Sequence, residues 1–235
     1  MTFGTRGRVA SAPSVGVDKR RRSRSRRRRS TGSTRNVSLS LGSGTAGATL
    51  FVLTFLIDGA TRAGYDPVRH TVSALATGPR GWLQTINFVV SGLLITAAGP
   101  GLYEAVPGPW FAAVIAVFGL ALVASGVFPM DPMRGYPPGT PEGTPPTTSR
   151  RHQLHDAAGA VVFTSLPVGA VVAALTLGDV VWSAYSAVTA VVFGVAAGRF
   201  ATAWEADDPR TGLFQRVAIV SGWTWLALLC WSLIP

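Results

Sequence analysis

Six stretches of about twenty residues run almost free of charge through this 235-residue chain. That is the length of helix that crosses a bilayer core of about 30 Å. Helices are the natural spanning form there, because no water is present to satisfy backbone N–H and C=O groups. The stretches cover 39–57, 83–102, 110–128, 157–177, 180–198 and 217–234. The sequence therefore predicts an all-α fold: a six-helix transmembrane bundle over 39–235, preceded by a separate tail, 1–38. The first stretch is weakest at its start, where Gly42, Ser43, Gly44 and Thr45 follow one another. Pro167 falls in the middle of the fourth and predicts a kink that neighbouring helices can accommodate. Gly194 and Gly198 form a GxxxG pair that would let another helix come close. Trp82, Trp110, Trp182 and Trp231 fall near segment ends, as interfacial anchors do, whereas Trp223 and Trp225 lie deeper and are expected to pack inside the bundle. The single cysteine, Cys230, excludes an intrachain disulfide and reads as a small buried hydrophobe.

Charge separates the tail from the rest. Of 21 basic residues, twelve precede residue 36, and RRRSRSRRRRS occupies 20–30. Such a block repels itself and stays solvated, so 1–38 is expected to be a disordered Arg-rich cytoplasmic tail. Anionic lipid headgroups would attract it, by about 1 kcal/mol per basic residue near the surface. No aromatic residue interleaves the arginines, so base stacking is unsupported and nucleic acid is not a favoured partner. Translation starting further along, at Val37 or another valine, is an alternative account of the tail, and a cleaved signal peptide fits poorly.

The connections alternate. Those after the second and fourth stretches are short and hold no Lys or Arg. Those after the first, third and fifth are long and, with the adjoining helix ends, hold all nine remaining arginines and all three histidines. An even number of crossings puts both termini on one side. The early arginine block then favours a plasma-membrane protein with both termini cytoplasmic and a polar cap on the outer face.

Three chemistries compete for that cap. His152 and His155 are three apart and share a helical face; with His70 and Asp131 they make a candidate tetrahedral zinc site, and Asp156 could orient an imidazole. A metal-bound water would make this a hydrolase. HExxH and paired cysteines are both absent, and histidines that cap helices or bond across loops are the plain alternative. Arg69, Arg80, Arg151 and Arg216 lie near helix starts and suit an anionic or lipid headgroup, against the alternative of ion pairs such as Asp66 with Arg69, or Asp131 with Arg151 or Arg216. A transport path is disfavoured, because the span interiors carry no ionisable residue. Ser73 beside His70 has the residue types of a nucleophile and base, but HTVSAL equally reads as a turn capped by Thr71 or Ser73. The Pro-, Gly- and Thr-rich run at 136–148 reads as an irregular loop and a candidate lid.

The stretches YDPVRHTVSALATGPRGWLQTINFVVSGLL (65–94), GVFPMDPMRGYPPGTP (126–141), RHQLHDAAGAVVF (151–163) and GLFQRVAIVSGWTWLALL (212–229) together resemble the bacterial membrane family catalogued as domain of unknown function 998. The resemblance covers about 40–235 and not the tail. It implies a six-helix integral membrane protein and carries no established activity. It singles out Asp131 and His155 as residues to test. The expected function is a multi-pass membrane protein that binds a lipid-like or anionic ligand through Asp66, Arg69, His70, Asp131, His152, His155, Asp156 and Arg216; the alternative is a metal-dependent membrane hydrolase. No cofactor is expected beyond that zinc candidate, membrane lipids are the expected partners, and oligomeric state is left open.

Overall fold

The protein's structure, a computed structural model, describes the backbone of residues 1, 2, 4 and 15–235 and the side chains of residues 1, 2, 4 and 33–235. The side chains of the arginine run, 20–30, fall outside the described residues, whereas the backbone of 15–38, expected to be disordered, is described as helix. Two compact units divide the chain, Met1–Asn36 and Val37–Pro235, and the second holds the bundle.

The helices are α1 (Val15–Ala60), α2 (Gly81–Ala97), α3 (Gly99–Ala105), α4 (Trp110–Val127), α5 (Arg150–Thr176), α6 (Val180–Glu205) and α7 (Thr211–Ser232), with a short 3-10 turn at Val72–Ala76. No strand occurs among the described residues. Six segments are long and apolar enough to cross a membrane: Ser33–Ala60, Gly81–Ala105, Trp110–Val127, Arg150–Thr176, Val180–Glu205 and Thr211–Ser232. The expected six-helix bundle is therefore present, and every span but the third, Trp110–Val127, is longer than hydropathy marks. α5 starts at Arg150, not 157, because the Ser149 hydroxyl caps it by accepting the His152 N–H at 3.2 Å. α6 runs on to Glu205 and α7 begins at Thr211, so the last long connection shrinks to 206–210. Hydropathy sees only the stretch that lipid touches. The polar turns beyond it are held by contacts with the other connections.

The spans form a closed ring. α2 packs on α4, α4 on α5, α5 on α6 and α6 on α7. α1 closes it: the Ser43 hydroxyl donates to the α2 carbonyl of Leu94 at 3.0 Å, and Thr45 to the α7 carbonyl of Ala227 at 3.3 Å. The small residues that weaken the start of the first span are thus its packing surface. A Cβ at Gly44 would stand 2.8 Å from both Ala98 Cβ and Cys230 Sγ. Trp223 fills the centre, stacked on Phe51 at 5.2 Å and edge-on to Phe118 at 4.8 Å. Trp223, Trp225 and Cys230 are all buried, as their depth in the sequence suggests. Trp82, Trp110 and Trp231 are exposed at helix ends, while Trp182 is partly buried against the core.

Close helix approach occurs away from the GxxxG pair. Among the described residues, nothing lies within 4 Å of an added Cβ at Gly194 or Gly198. The tight crossing is α2 on α4, where a Cβ on Gly119 would sit 2.8 Å from both the Gly92 carbonyl oxygen and the Thr96 nitrogen. Backbone cannot move aside cheaply, so Gly119→Ala should cost about 1–3 kcal/mol through overpacking, whereas Gly194→Ala should be neutral or slightly stabilising. Thermal unfolding in detergent checks the contrast; equal melting temperatures for the two variants would contradict this packing.

Candidate functional site

The first two long connections meet around a buried carboxylate at the α1 C-terminal end. Asp58, 1% exposed, lies near the end of α1. Its Oδ2 pairs with Arg62 one turn on, and its Oδ1 stands 2.6 Å from Arg80 Nη2. Arg62 also donates to the carbonyls of Thr77 at 3.1 Å and Arg80 at 3.0 Å, and to the Tyr136 hydroxyl at 3.3 Å. One guanidinium thereby joins the end of α1, the 61–80 connection and the 128–149 connection.

Tyr65 and Arg216 continue the frame. The Tyr65 hydroxyl donates to the Thr71 carbonyl at 2.8 Å and accepts from Arg216, and burial pushes its phenol up to about 12 against the pull of the Arg216 charge. Arg216 also donates to the carbonyls of His70 at 2.8 Å and Gly212 at 3.0 Å. The first N–H groups of α7 find acceptors in the same segment: Gly212 N–H bonds the Arg69 carbonyl at 3.2 Å and Leu213 N–H the Val68 carbonyl at 2.9 Å. Only glycine permits this, since a Cβ at 212 would lie 2.3 Å from the His70 oxygen. At 128–149 the link to α6 is Arg134. Its Nε stands 3.0 Å from Asp207, and its guanidinium lies 3.7 Å over the Trp204 ring. Arg134 and Asp207 both hold left-handed φ values, 57° and 54°, a conformation that costs an L residue about 1–2 kcal/mol and that the contacts between them offset.

The sequence-derived site residues are present in this cap, but not as a metal centre. Among the described residues, no group of three or more His, Cys, Asp or Glu is placed to hold a metal ion. Each candidate ligand faces a different partner. His70 Nδ1 accepts the Asp66 N–H at 2.9 Å, and burial lowers the His70 pKa despite a backbone hydrogen bond to Arg134. His152 Nδ1 accepts the Asp131 N–H at 3.0 Å, with Nε2 3.2 Å from Asp156. The Asp131 carboxylate takes the Ser149 N–H and hydroxyl, both at 2.6 Å; burial acts to raise its pKa, and these bonds more than reverse that. The plain alternative, histidines that bond across loops and helix ends, describes all three. Three of the four arginines of the anion reading are engaged too, while Arg151 is exposed and makes no side-chain hydrogen bond or ion pair among the described residues. Arg69 pairs with Glu142 at 2.5 Å, Arg80 with Asp58, and Arg216 with carbonyls and Tyr65. Asp66, expected opposite Arg69, instead accepts the Val68 N–H at 2.8 Å.

His155 is different, because it turns inward to a side-chain hydroxyl. Its Nδ1 lies 2.9 Å from both the Ser125 and the Phe128 carbonyl oxygens, so Nδ1 carries the proton. Nε2 is then the acceptor, and the Ser73 hydroxyl donates to it at 2.9 Å. Ser73 thus pairs with His155, not with the His70 its sequence position suggests. Thr71 caps the 3-10 turn and leaves Ser73 for this bond. Both residues line a cavity of about 330 Å³ between α5, α6, α7 and that turn. One end is polar, with Thr71, Ser73, His152, His155 and Gln215; Asp156 and Glu205 form an exposed rim. The other end is apolar, with Gly159, Ala160 and Phe163 on α5 and Ala197, Phe200 and Ala201 on α6. Among the described residues the lining includes no Lys or Arg. Of 136–148, expected as a lid, no residue lines the cavity; Tyr136 is instead buried against Tyr65 and His70. The apolar wall escaped the sequence reading, although Phe200 with Trp204, and Ala197 with Ala201, repeat every four residues along one helix face.

These features define a multi-pass integral membrane protein with a structured polar cap and an interhelical cavity beneath it. The family model for the protein of unknown function DUF998 matches residues 45–232, and the chain belongs to that family. No curated protein matches the chain. No solved structure matches it either.

The buried charge cluster should dominate cap stability. Asp58→Asn leaves Arg62 buried without a counter-charge and should cost about 3–5 kcal/mol. Arg80→Gln removes the half-exposed partner and should cost under about 1 kcal/mol. Thermal unfolding of the two variants in detergent measures the difference; similar losses would contradict the assignment.

Proposed function

We propose that the protein binds a lipid-like molecule with one acyl chain and an uncharged, hydroxyl-bearing headgroup, inside the cavity between α5 and α6. The carrying observation is the grading of that cavity. Hydrogen-bonding groups, Ser73, His155 and Gln215, cluster at the cap end, and Phe163, Ala197 and Phe200 line the end that descends along the spans. From Asp156 to Phe163 the wall changes from carboxylate to aromatic within two helical turns. Its volume, about 330 Å³, falls at the lower end of the range for small-molecule sites, which suits a headgroup and the first part of a chain whose remainder lies in the bilayer. An anionic headgroup is disfavoured, because Asp156 and Glu205 stand at the rim and no Lys or Arg among the described residues lines the site. The metal-dependent hydrolase reading has no comparable support, since the three imidazoles are committed to separate partners.

Gly159 supplies the test. It lines the cavity, and an added Cβ there would meet nothing within 4 Å. Gly159→Leu should therefore weaken binding of monoolein, measured by native mass spectrometry in detergent, by tenfold or more, at an unchanged or higher melting temperature. Unchanged monoolein binding would overturn the proposal. Tighter binding of an anionic lysophospholipid than of monoolein would overturn its charge argument.

We further propose a plasma-membrane location with the cap outside and both termini cytoplasmic, on the strength of the twelve basic residues before residue 36. Thr148→Cys tests this cleanly, because the only native cysteine, Cys230, is fully buried. A membrane-impermeant maleimide should label that variant in intact cells; labelling only after lysis would reverse the orientation.

A further inference from the structure

We propose that Ser73 and His155 form a nucleophile–base pair that cleaves a carboxylic ester of the lipid-like ligand, an acylglycerol-type substrate. This rests on the cavity reading above and names the chemistry at its polar end.

The geometry is that of an activated hydroxyl. The two carbonyls on Nδ1, from Ser125 and Phe128, hold the imidazole in one orientation and in the tautomer whose Nε2 lone pair faces Ser73. That is the role an orienting carboxylate plays in hydrolytic triads, here taken by backbone at the end of α4. The Ser73–His155 separation, 2.9 Å, is within reach for proton transfer. Ser73 is held on a turn that is fixed twice, by Thr71 capping Ala74 and by the Val72 N–H bonding Gln215 Oε1 at 2.7 Å. That second bond fixes the Gln215 amide, leaving its N–H donors to the cavity it lines, where an oxyanion on the attacked carbonyl would form. The acyl chain would run from there along Phe163 and Phe200.

The reaction balances with water as the only co-substrate. The Ser73 hydroxyl gives its proton to His155 Nε2 as Oγ bonds the ester carbonyl carbon. The bond from that carbon to the alcohol oxygen breaks, and the departing alcohol takes the proton from His155. Water then attacks the acyl-serine and passes a proton to His155. The carbon–Oγ bond breaks, Ser73 is reprotonated, and the fatty acid leaves.

A long-chain alkyl fluorophosphonate, incubated with the full-length protein in detergent, tests the pair directly. The expected result is a covalent adduct on the peptide carrying Ser73, identified by mass spectrometry. The adduct should be absent in Ser73→Ala and should form at least about a hundredfold more slowly in His155→Gln. Mapping the adduct on the wild-type chain keeps the test decisive even if a variant fails to fold. Wild-type protein that binds monoolein yet gives no Ser73 adduct would overturn the catalytic proposal and leave the binding one standing. A Ser73 adduct without monoolein binding would do the reverse. Equal labelling rates in wild type and His155→Gln would remove His155 as the base.

Discussion

The cap depends on one buried carboxylate. Asp58 ends the first span with almost no exposure, and it is tolerable there only because Arg62 and Arg80 neutralise it at close range. The same arginines carry the constraint outward. Arg62 reaches the carbonyls of Thr77 and Arg80 and the hydroxyl of Tyr136, so the first two long connections are fixed to a helix end and not merely to each other. Tyr136 packs on Tyr65 and His70, and Tyr65 and the His70 carbonyl receive Arg216 from α7. The 3-10 turn that carries Ser73 is held beside this frame by the Thr71 cap and by the bond from the Val72 N–H to Gln215 of α7.

The cavity exists because α5 and α6 face each other there with small residues. Gly159, Ala160, Ala197 and Ala201 leave space that Phe163, Phe200 and Trp204 border without filling. Elsewhere small residues do the opposite: Gly92 with Gly119, and Gly44 beside Cys230, let helices touch. A glycine in a span is therefore ambiguous until its neighbour is known. Gly194 and Gly198 carry the familiar spacing, yet a Cβ at either would meet nothing within 4 Å among the described residues, whereas Gly119 lacks that spacing and lies at a tight crossing.

Much of the cap was legible early. The long connections do meet at one end, and Asp131, His152 and His155 all take part in hydrogen bonds there. What misled was proximity in sequence. His152 and His155 share a helical face, but one turns to Asp131 and Asp156 and the other inward to carbonyls of α4 and to Ser73. Ser73 lies three residues from His70 in sequence, but its partner is His155, 82 residues further along the chain. Arg69 found Glu142 where Asp66 was expected, because Asp66 is occupied by the backbone of its own turn.

Six membrane-spanning helices and a polar end to the bundle are encoded locally, in runs of residues. Both follow from transfer energetics, which are additive along the chain: apolar runs enter lipid, charged connections do not. Which carboxylate each arginine takes, which nitrogen of His155 is free to accept, and where the bundle leaves a cavity are set by packing in three dimensions. Those depend on angles and separations between segments distant in sequence. A hydrogen bond requires its donor and acceptor to lie within about 3 Å and in line, a condition that no local pattern of residues encodes.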